Sequence, residues 1–169
     1  MSEQQTDLSV GTQGQGSEYL TFRLGDEDYG VDILRVQEIR GWETVTRIPN
    51  SPAYVKGVLN LRGSIVPIFD MRQRLEMEIK DYSKDTVVIV LRVKGITSER
   101  NIGVVVDEVS DVLNAQQSSI RSAPQFGGDV PTEYISGLAD VEKKMVMLLD
   151  VDKLLNQDTE NEHVSEDAA

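Results

Sequence analysis

Gly30-Val31-Asp32-Ile33-Leu34-Arg35-Val36-Gln37-Glu38-Ile39 returns as Gly103-Val104-Val105-Val106-Asp107-Glu108-Val109-Ser110-Asp111-Val112, at an offset of 73 residues. The glycine, the apolar positions and an acidic residue fall in step. Tyr54-Val55-Lys56-Gly57-Val58 returns as Tyr134-Ile135-Ser136-Gly137-Leu138. Val66-Pro67-Ile68-Phe69-Asp70, with Leu75 after it, returns as Val146-Met147-Leu148-Leu149-Asp150 with Leu155, both at an offset of 80. Three matches in one order, with an insertion between them, indicate a tandem duplication. Two like halves packed face to face leave a groove between them. A groove with two similar ends suits holding other proteins better than transforming a small molecule.

Working outward, the local signals are those of strands. Leu20, Phe22 and Leu24 alternate with Thr21 and Arg23, and Gly25-Asp26-Glu27-Asp28 turns the chain into Tyr29 to Ile33, the pattern of a hairpin. Val55 to Leu61 and Ile65 to Phe69 form a second hairpin through Arg62-Gly63-Ser64. Thr86 to Val93 is a nearly unbroken β-branched run, which predicts a central strand covered on both faces. Ile102 to Val106 pairs with it across the Gly95–Asn101 loop. Helices are few and short: Asp70 can cap Met71 to Leu75, and Asp150 can cap Val151 to Leu155. Short strands closed by Gly and Pro turns predict an all-β protein of two small antiparallel barrels, one per repeat. Ser51-Pro52 and Ala123-Pro124 open matching irregular segments. The folded body is expected over 18–156, between disordered tails at 1–17 and 157–169. One subdomain is expected over about 18–65 with a closing segment near 145–156, the other over about 66–144. The last strand, Met145 to Leu149, is thereby expected to join the first hairpin.

The chain has 169 residues and a formal charge of −12, of which the two tails carry −7 with no Lys or Arg to offset it. Most of the acidity is therefore solvated tail, and no basic patch suits nucleic acid or an anionic membrane surface. There is no cysteine, which excludes disulfides and thiolate metal sites. Met1-Ser2-Glu3 opens no signal peptide, and no apolar run approaches the roughly 20 residues that cross a bilayer. A soluble, cytoplasmic protein is expected.

The residues offer little to catalysis. The one histidine, His163, lies in the acidic tail, so no His-based acid–base pair can be assembled. The glycines make neither a Walker-type loop nor a Gly-x-Gly-x-x-Gly after a strand. Asp26-Glu27-Asp28 lacks the Glu that an EF-hand needs at its twelfth position, where Gln37 stands. Asp70 and Asp150, one per repeat, superficially resemble the paired carboxylates of an aspartic protease. That chemistry needs a small-residue turn, Asp-Thr-Gly or Asp-Ser-Gly, and here Met71-Arg72 and Val151-Asp152 follow. Neither a cofactor nor a metal is expected. What is left is Asn60-Leu61-Arg62-Gly63 at a hairpin tip, together with Glu38. Arg62 is either a solvated charge, alone or paired with Glu38 at little net gain, or a planar fork offered to a partner's carboxylate or carbonyl groups.

Glu18-Tyr19-Leu20-Thr21-Phe22-Arg23-Leu24-Gly25, Tyr29 to Ile33, Val36 to Gly41, Ile48-Pro49-Asn50-Ser51-Pro52, Val55 to Gly63 and Ile65 to Asp70 resemble the CheW family of bacterial chemotaxis coupling proteins. Gly103 to Val112 continues the match. The resemblance covers the whole folded body, and Gly57-x-x-Asn60-Leu61-Arg62-Gly63 is its most specific part. It implies a pair of five-stranded SH3-like barrels. It also implies a non-enzymatic adaptor between the cytoplasmic hairpin tip of chemoreceptors and the regulatory domain of the histidine kinase CheA. Carried onto this chain, it places a receptor helix in a groove lined by Ile33, Val36, Glu38, Gly57, Asn60, Leu61 and Arg62. Helix-in-groove binding of that kind uses apolar anchors with charges at the rim, and Gly57 would stand where a partner backbone comes close. Ile33, Val36 and Leu61 could equally be core residues. Arg121 and Phe126, the latter an aromatic in the glycine-rich stretch Pro124-Gln125-Phe126-Gly127-Gly128, are candidates for the kinase interface. The Gly95–Arg100 hairpin loop is longer than in many members of the family.

Overall fold

A computed structural model describes residues 16–116, 120–122, 132–141 and 144–156. The strands run β1 (Gly16–Leu24), β2 (Glu27–Asp32), β3 (Val36–Gly41), β4 (Val55–Leu61), β5 (Ser64–Asp70), β6 (Val87–Lys94), β7 (Glu99–Val106), β8 (Glu108–Gln116), β9 (Ile120–Arg121), β10 (Ile135–Val141) and β11 (Lys144–Leu149). Two short helices follow the second hairpin of each repeat: α1, Met71–Arg74, and α2, 151–156. The strands form a six-stranded sheet, β8-β1-β2-β11-β10-β9, and a five-stranded sheet, β3-β6-β7-β5-β4. The all-β class holds. The expected count of five strands holds in one sheet and becomes six in the other, because the two-residue strand β9 pairs with β10 at Leu138 and Ala139.

The predicted hairpins form, but the sheets divide the chain differently from the expected subdomains. The break falls after Asp32 and again after Val106, not near residue 65. Strands β3 and β4, expected beside β1 and β2, pair in the other sheet. Each sheet takes its first hairpin from one repeat and its remaining strands from the other. Each first hairpin joins the other repeat by one antiparallel pairing, β1 with β8 and β6 with β3, and by one parallel pairing: β11 runs beside β2, with Leu148 facing Gly30, and β5 runs beside β7, with Ile68 facing Gly103. The last strand thus lies beside the first hairpin, as expected. The glycine that opens each copy of the repeat sits at the parallel joint for a steric reason. A Cβ on Gly103 would stand 2.6 Å from Ile68 Cδ1, and one on Gly30 would stand 3.1 Å from Leu148 Cδ2.

Strand alternation assigns side chains to cores. On β6, Ile89, Leu91 and Val93 enter the largest cluster, and Val88 and Val90 face a second, so this strand is covered on both faces as its unbroken apolar run predicts. The largest cluster draws on both sheets, with Leu20, Phe22 and Tyr29 from one and Phe69, Leu91 and Val104 from the other. The duplication reappears in the hydrogen bonds. The Asp70 amide donates to the Tyr54 carbonyl at 2.7 Å, and the Asp150 amide to the Tyr134 carbonyl at 2.8 Å. Both tyrosine rings then face one buried guanidinium, that of Arg74, at 5.6 and 4.9 Å, with Tyr134 Oη accepting from it at 2.9 Å. Aromatic faces stabilise a desolvated cation, and the contact ties the two repeats together.

Candidate protein-interaction site

Residues 33–36 enter the site through a 3-10 turn, Ile33–Arg35. Asp32 caps it by accepting the Leu34 amide at 2.9 Å, the expected use of an Asp at a helical start. Ile33 and Val36 are half-buried against the largest core cluster, so both are partly core and partly surface. Leu34, between them, is 76% exposed.

The β4–β5 hairpin presents the Asn-Leu-Arg-Gly stretch. Asn60 Oδ1 accepts the Gly63 amide at 2.9 Å, a side-chain-made turn of the kind Asn favours. Arg62 adopts a left-handed φ of 53°, and its side chain is 79% exposed. It donates to Glu38 on β3. Glu38 also accepts from Arg40 Nη1 at 2.9 Å, and Arg40 Nη2 donates to Glu43 at 2.6 Å. Four charges of alternating sign thus form a chain from the hairpin tip across β3. The Arg62 hydrogen bond, aided by Arg40, holds the Glu38 carboxyl below the usual carboxylate range.

Two of the expected groove residues have other work. Leu61 points inward, in a cluster with Leu59, Val66, Ile68, Val88, Val90 and Val105, because β4 alternates Leu59 and Leu61 inside with Asn60 outside. Gly57 meets the protein's own chain. Its φ is +149°, and a Cβ there would lie 2.2 Å from the Thr46 carbonyl oxygen. That close approach carries an isolated bridge, with Thr46 and Val58 exchanging amide–carbonyl hydrogen bonds of 3.0 and 2.8 Å. Of the seven residues expected in the groove, the structure brings Glu38, Asn60 and Arg62 to one surface. It places Val36 at the start of the strand carrying Glu38 and Ile33 in the turn that leads into it. Arg121 is exposed on β9; Phe126 lies outside the described residues.

Several neighbours went unread in the sequence. Arg40 was legible in principle, standing two residues after Glu38 on the same strand face. Trp42 packs edge-on to Tyr82 at 4.6 Å, and Lys56 lies over the Tyr82 ring at 5.6 Å. Burial, and then its hydrogen bond to Asp70, raise the Tyr82 phenol. Beside this group lies an open cavity of about 530 Å³ lined by Trp42, Val45, Arg47, Ile48, Pro52 and Lys56. These contacts join residues distant in sequence, and no local pattern marks them.

Asp70 and Asp150 are both occupied as caps. Asp70 Oδ1 accepts the Gln73 amide at 3.2 Å, and Asp150 Oδ1 accepts the Lys153 amide at 3.0 Å. The arrangement offers hydrogen-bonding charge, aromatic faces and exposed apolar groups, the features of a protein-contact surface.

Residues 18–159 match the model of the CheW-like domain. The chain belongs to the CheW-like family. Among CheW relatives, it is similar to the chemotaxis protein CheW of Klebsiella aerogenes, with 49% identity over 143 residues, covering 85% of this chain and 84% of that protein. The chemotaxis protein CheW of Rhizobium meliloti is 38% identical, over 82% of this chain and 87% of that one. The crystal structure of the scaffolding protein TtCheW from Thermoanaerobacter tengcongensis superposes with a TM-score of 0.75 at 29% identity, covering 82% of this chain and 91% of that chain.

Proposed function

We propose that this CheW-family chain is a non-enzymatic adaptor, coupling the cytoplasmic tips of chemoreceptors to the histidine kinase CheA. Its relatives are named as chemotaxis proteins, and a structural neighbour is described as a scaffolding protein. The observation that carries the reading is the built tip of the β4–β5 hairpin. An exposed guanidinium stands there in a left-handed turn fixed by Asn60 and oriented by Glu38. A planar fork held in that way is suited to a carboxylate or carbonyl on a helical partner. Ile33 and Val36 supply apolar contact beside it. Gly57 and Leu61 support the surface from within. Arg121 and Phe126 are the candidate kinase contacts. The adaptor works in the cytoplasm, recruited to membrane-bound receptor arrays. Among the described residues no helix is long and apolar enough to cross a membrane.

The test is a titration against two separate partners, a receptor cytoplasmic-tip fragment and the CheA regulatory domain. Saturable binding to both at once is expected, with Arg62→Ala losing the receptor interaction and keeping the kinase interaction. Normal receptor binding by a folded Arg62→Ala variant removes the hairpin tip from the receptor site. Binding to neither partner removes the adaptor function.

A further inference from the structure

The segment that opens β3 has little backbone structure to hold it. A three-residue 3-10 turn is too short to be stable on its own. The Arg35 guanidinium supplies what the backbone lacks. Its Nη1 and Nη2 donate to Oδ1 and Oδ2 of Asp152, on helix α2, at 2.8 and 2.7 Å. Nη1 also donates to the Arg92 carbonyl at 3.0 Å, and Asp152 Oδ1 accepts the Lys94 amide at 2.8 Å. The 3-10 turn, the end of β6 and the C-terminal helix are thereby pinned at one point. The two side chains are only 21% and 30% exposed, so solvent screens the pair less than it would an open surface pair. The Arg35 hydrogen bond, with that of the Lys94 amide, keeps the Asp152 carboxyl below its usual range despite partial burial. A bidentate guanidinium–carboxylate pair fixes orientation as well as distance.

We propose that Asp152 is a positioning residue for receptor binding: its two-oxygen grip on Arg35 sets the orientation in which Ile33 and Val36 meet the receptor helix. Asp152 stands 117 residues from Arg35, on an element that contributes none of the candidate receptor contacts. The inference rests on the receptor assignment made above for Ile33 and Val36.

The experiment uses the full chain as wild type, Asp152→Ala, Asp152→Asn and the exchanged pair Arg35→Asp/Asp152→Arg. Amide hydrogen exchange at residues 33–36 is measured first, then affinity for the receptor-tip fragment and for the CheA regulatory domain. Asp152→Ala is expected to speed exchange at 33–36 and to weaken tip binding roughly threefold to tenfold, leaving kinase-domain binding unchanged. The exchanged pair is expected to recover part of the tip affinity. Asp152→Asn, which retains an acceptor for the Lys94 amide, is expected to fall between wild type and Asp152→Ala. Unchanged exchange at 33–36 overturns the positioning role, as does an equal loss of affinity for both partners. A wild-type chain that ignores the tip fragment refutes the receptor assignment instead, and the exchange measurement still decides what Asp152 does to the turn.

Discussion

Replacing Gly57 by alanine tests the close approach between β4 and the segment that precedes it. The added Cβ would stand 2.2 Å from the Thr46 carbonyl oxygen, 2.8 Å from the Thr46 carbonyl carbon and 2.9 Å from Val45 Cγ2. Two of these three atoms are backbone, so no rotamer change relieves the overlap. The segment around Thr46 must move, and its two hydrogen bonds with Val58 are lost or bent. Each contributes about 0.5–1.5 kcal/mol net. Holding alanine at a φ of +149° adds about 1–3 kcal/mol of backbone strain. Against this, alanine lowers the entropy of the unfolded chain, worth about 0.4–1 kcal/mol. The balance is a destabilisation of about 3 kcal/mol. With a urea slope of about 1–3 kcal/mol per molar, the unfolding midpoint should drop by about 1–3 M. The assay is urea unfolding followed by tryptophan fluorescence, since Trp42, the single tryptophan, lies in the segment that must shift. A midpoint within about 0.3 M of wild type, with receptor-tip binding lost, would refute this reasoning. Gly57 would then be needed by a partner's backbone and not by the protein's own.

Leu61→Ala should cost about 2–5 kcal/mol in the same unfolding assay, because Leu61 is only 9% exposed within its cluster; a loss below about 1 kcal/mol would return it to the surface. Acid should weaken the fold through Asp107. Burial raises its carboxyl, but hydrogen bonds from Arg72, at 2.9 and 2.6 Å, and from the Gly25 amide, at 2.8 Å, outweigh it and leave it below 3.8. A group depressed in the folded state stabilises above its unfolded pKa and loses that contribution as pH falls through its folded value. The urea midpoint should therefore fall below about pH 4, and less steeply in Asp107→Asn; equal slopes would assign the acid sensitivity elsewhere.

How much could be read from the sequence depended on the range of each interaction. The hairpins were legible because alternation and turn residues are local: Leu20, Phe22 and Leu24 point inward as their period-two spacing predicts, and Arg62-Gly63 marks the turn it occupies. The caps at Asp70 and Asp150 followed from the same kind of signal. Which hairpin pairs with which is a long-range choice, and local pattern is silent on it. The expected boundary near residue 65 therefore missed the reassignment of β3 and β4. At the site, the alternation along β4 already separated Leu61 from Asn60 and Arg62, so the inward turn of Leu61 was available from residue parity. The contact of Gly57 with Thr46 and the grip of Asp152 on Arg35 were not. Each joins residues that only the completed fold brings together.

The exchange of first hairpins between the two repeats bears on the origin of the chain. A single unduplicated copy owns a first hairpin and a remainder, yet here no first hairpin pairs with its own remainder. An ancestor of one copy that used these same pairings would have completed its sheets only by trading hairpins with a second molecule, as a swapped homodimer. Fusing the two genes would then have turned an intermolecular trade, dependent on concentration, into an intramolecular one. The two copies were afterwards free to diverge, so that one face of a formerly symmetric object could acquire Arg62 while its counterpart acquired something else.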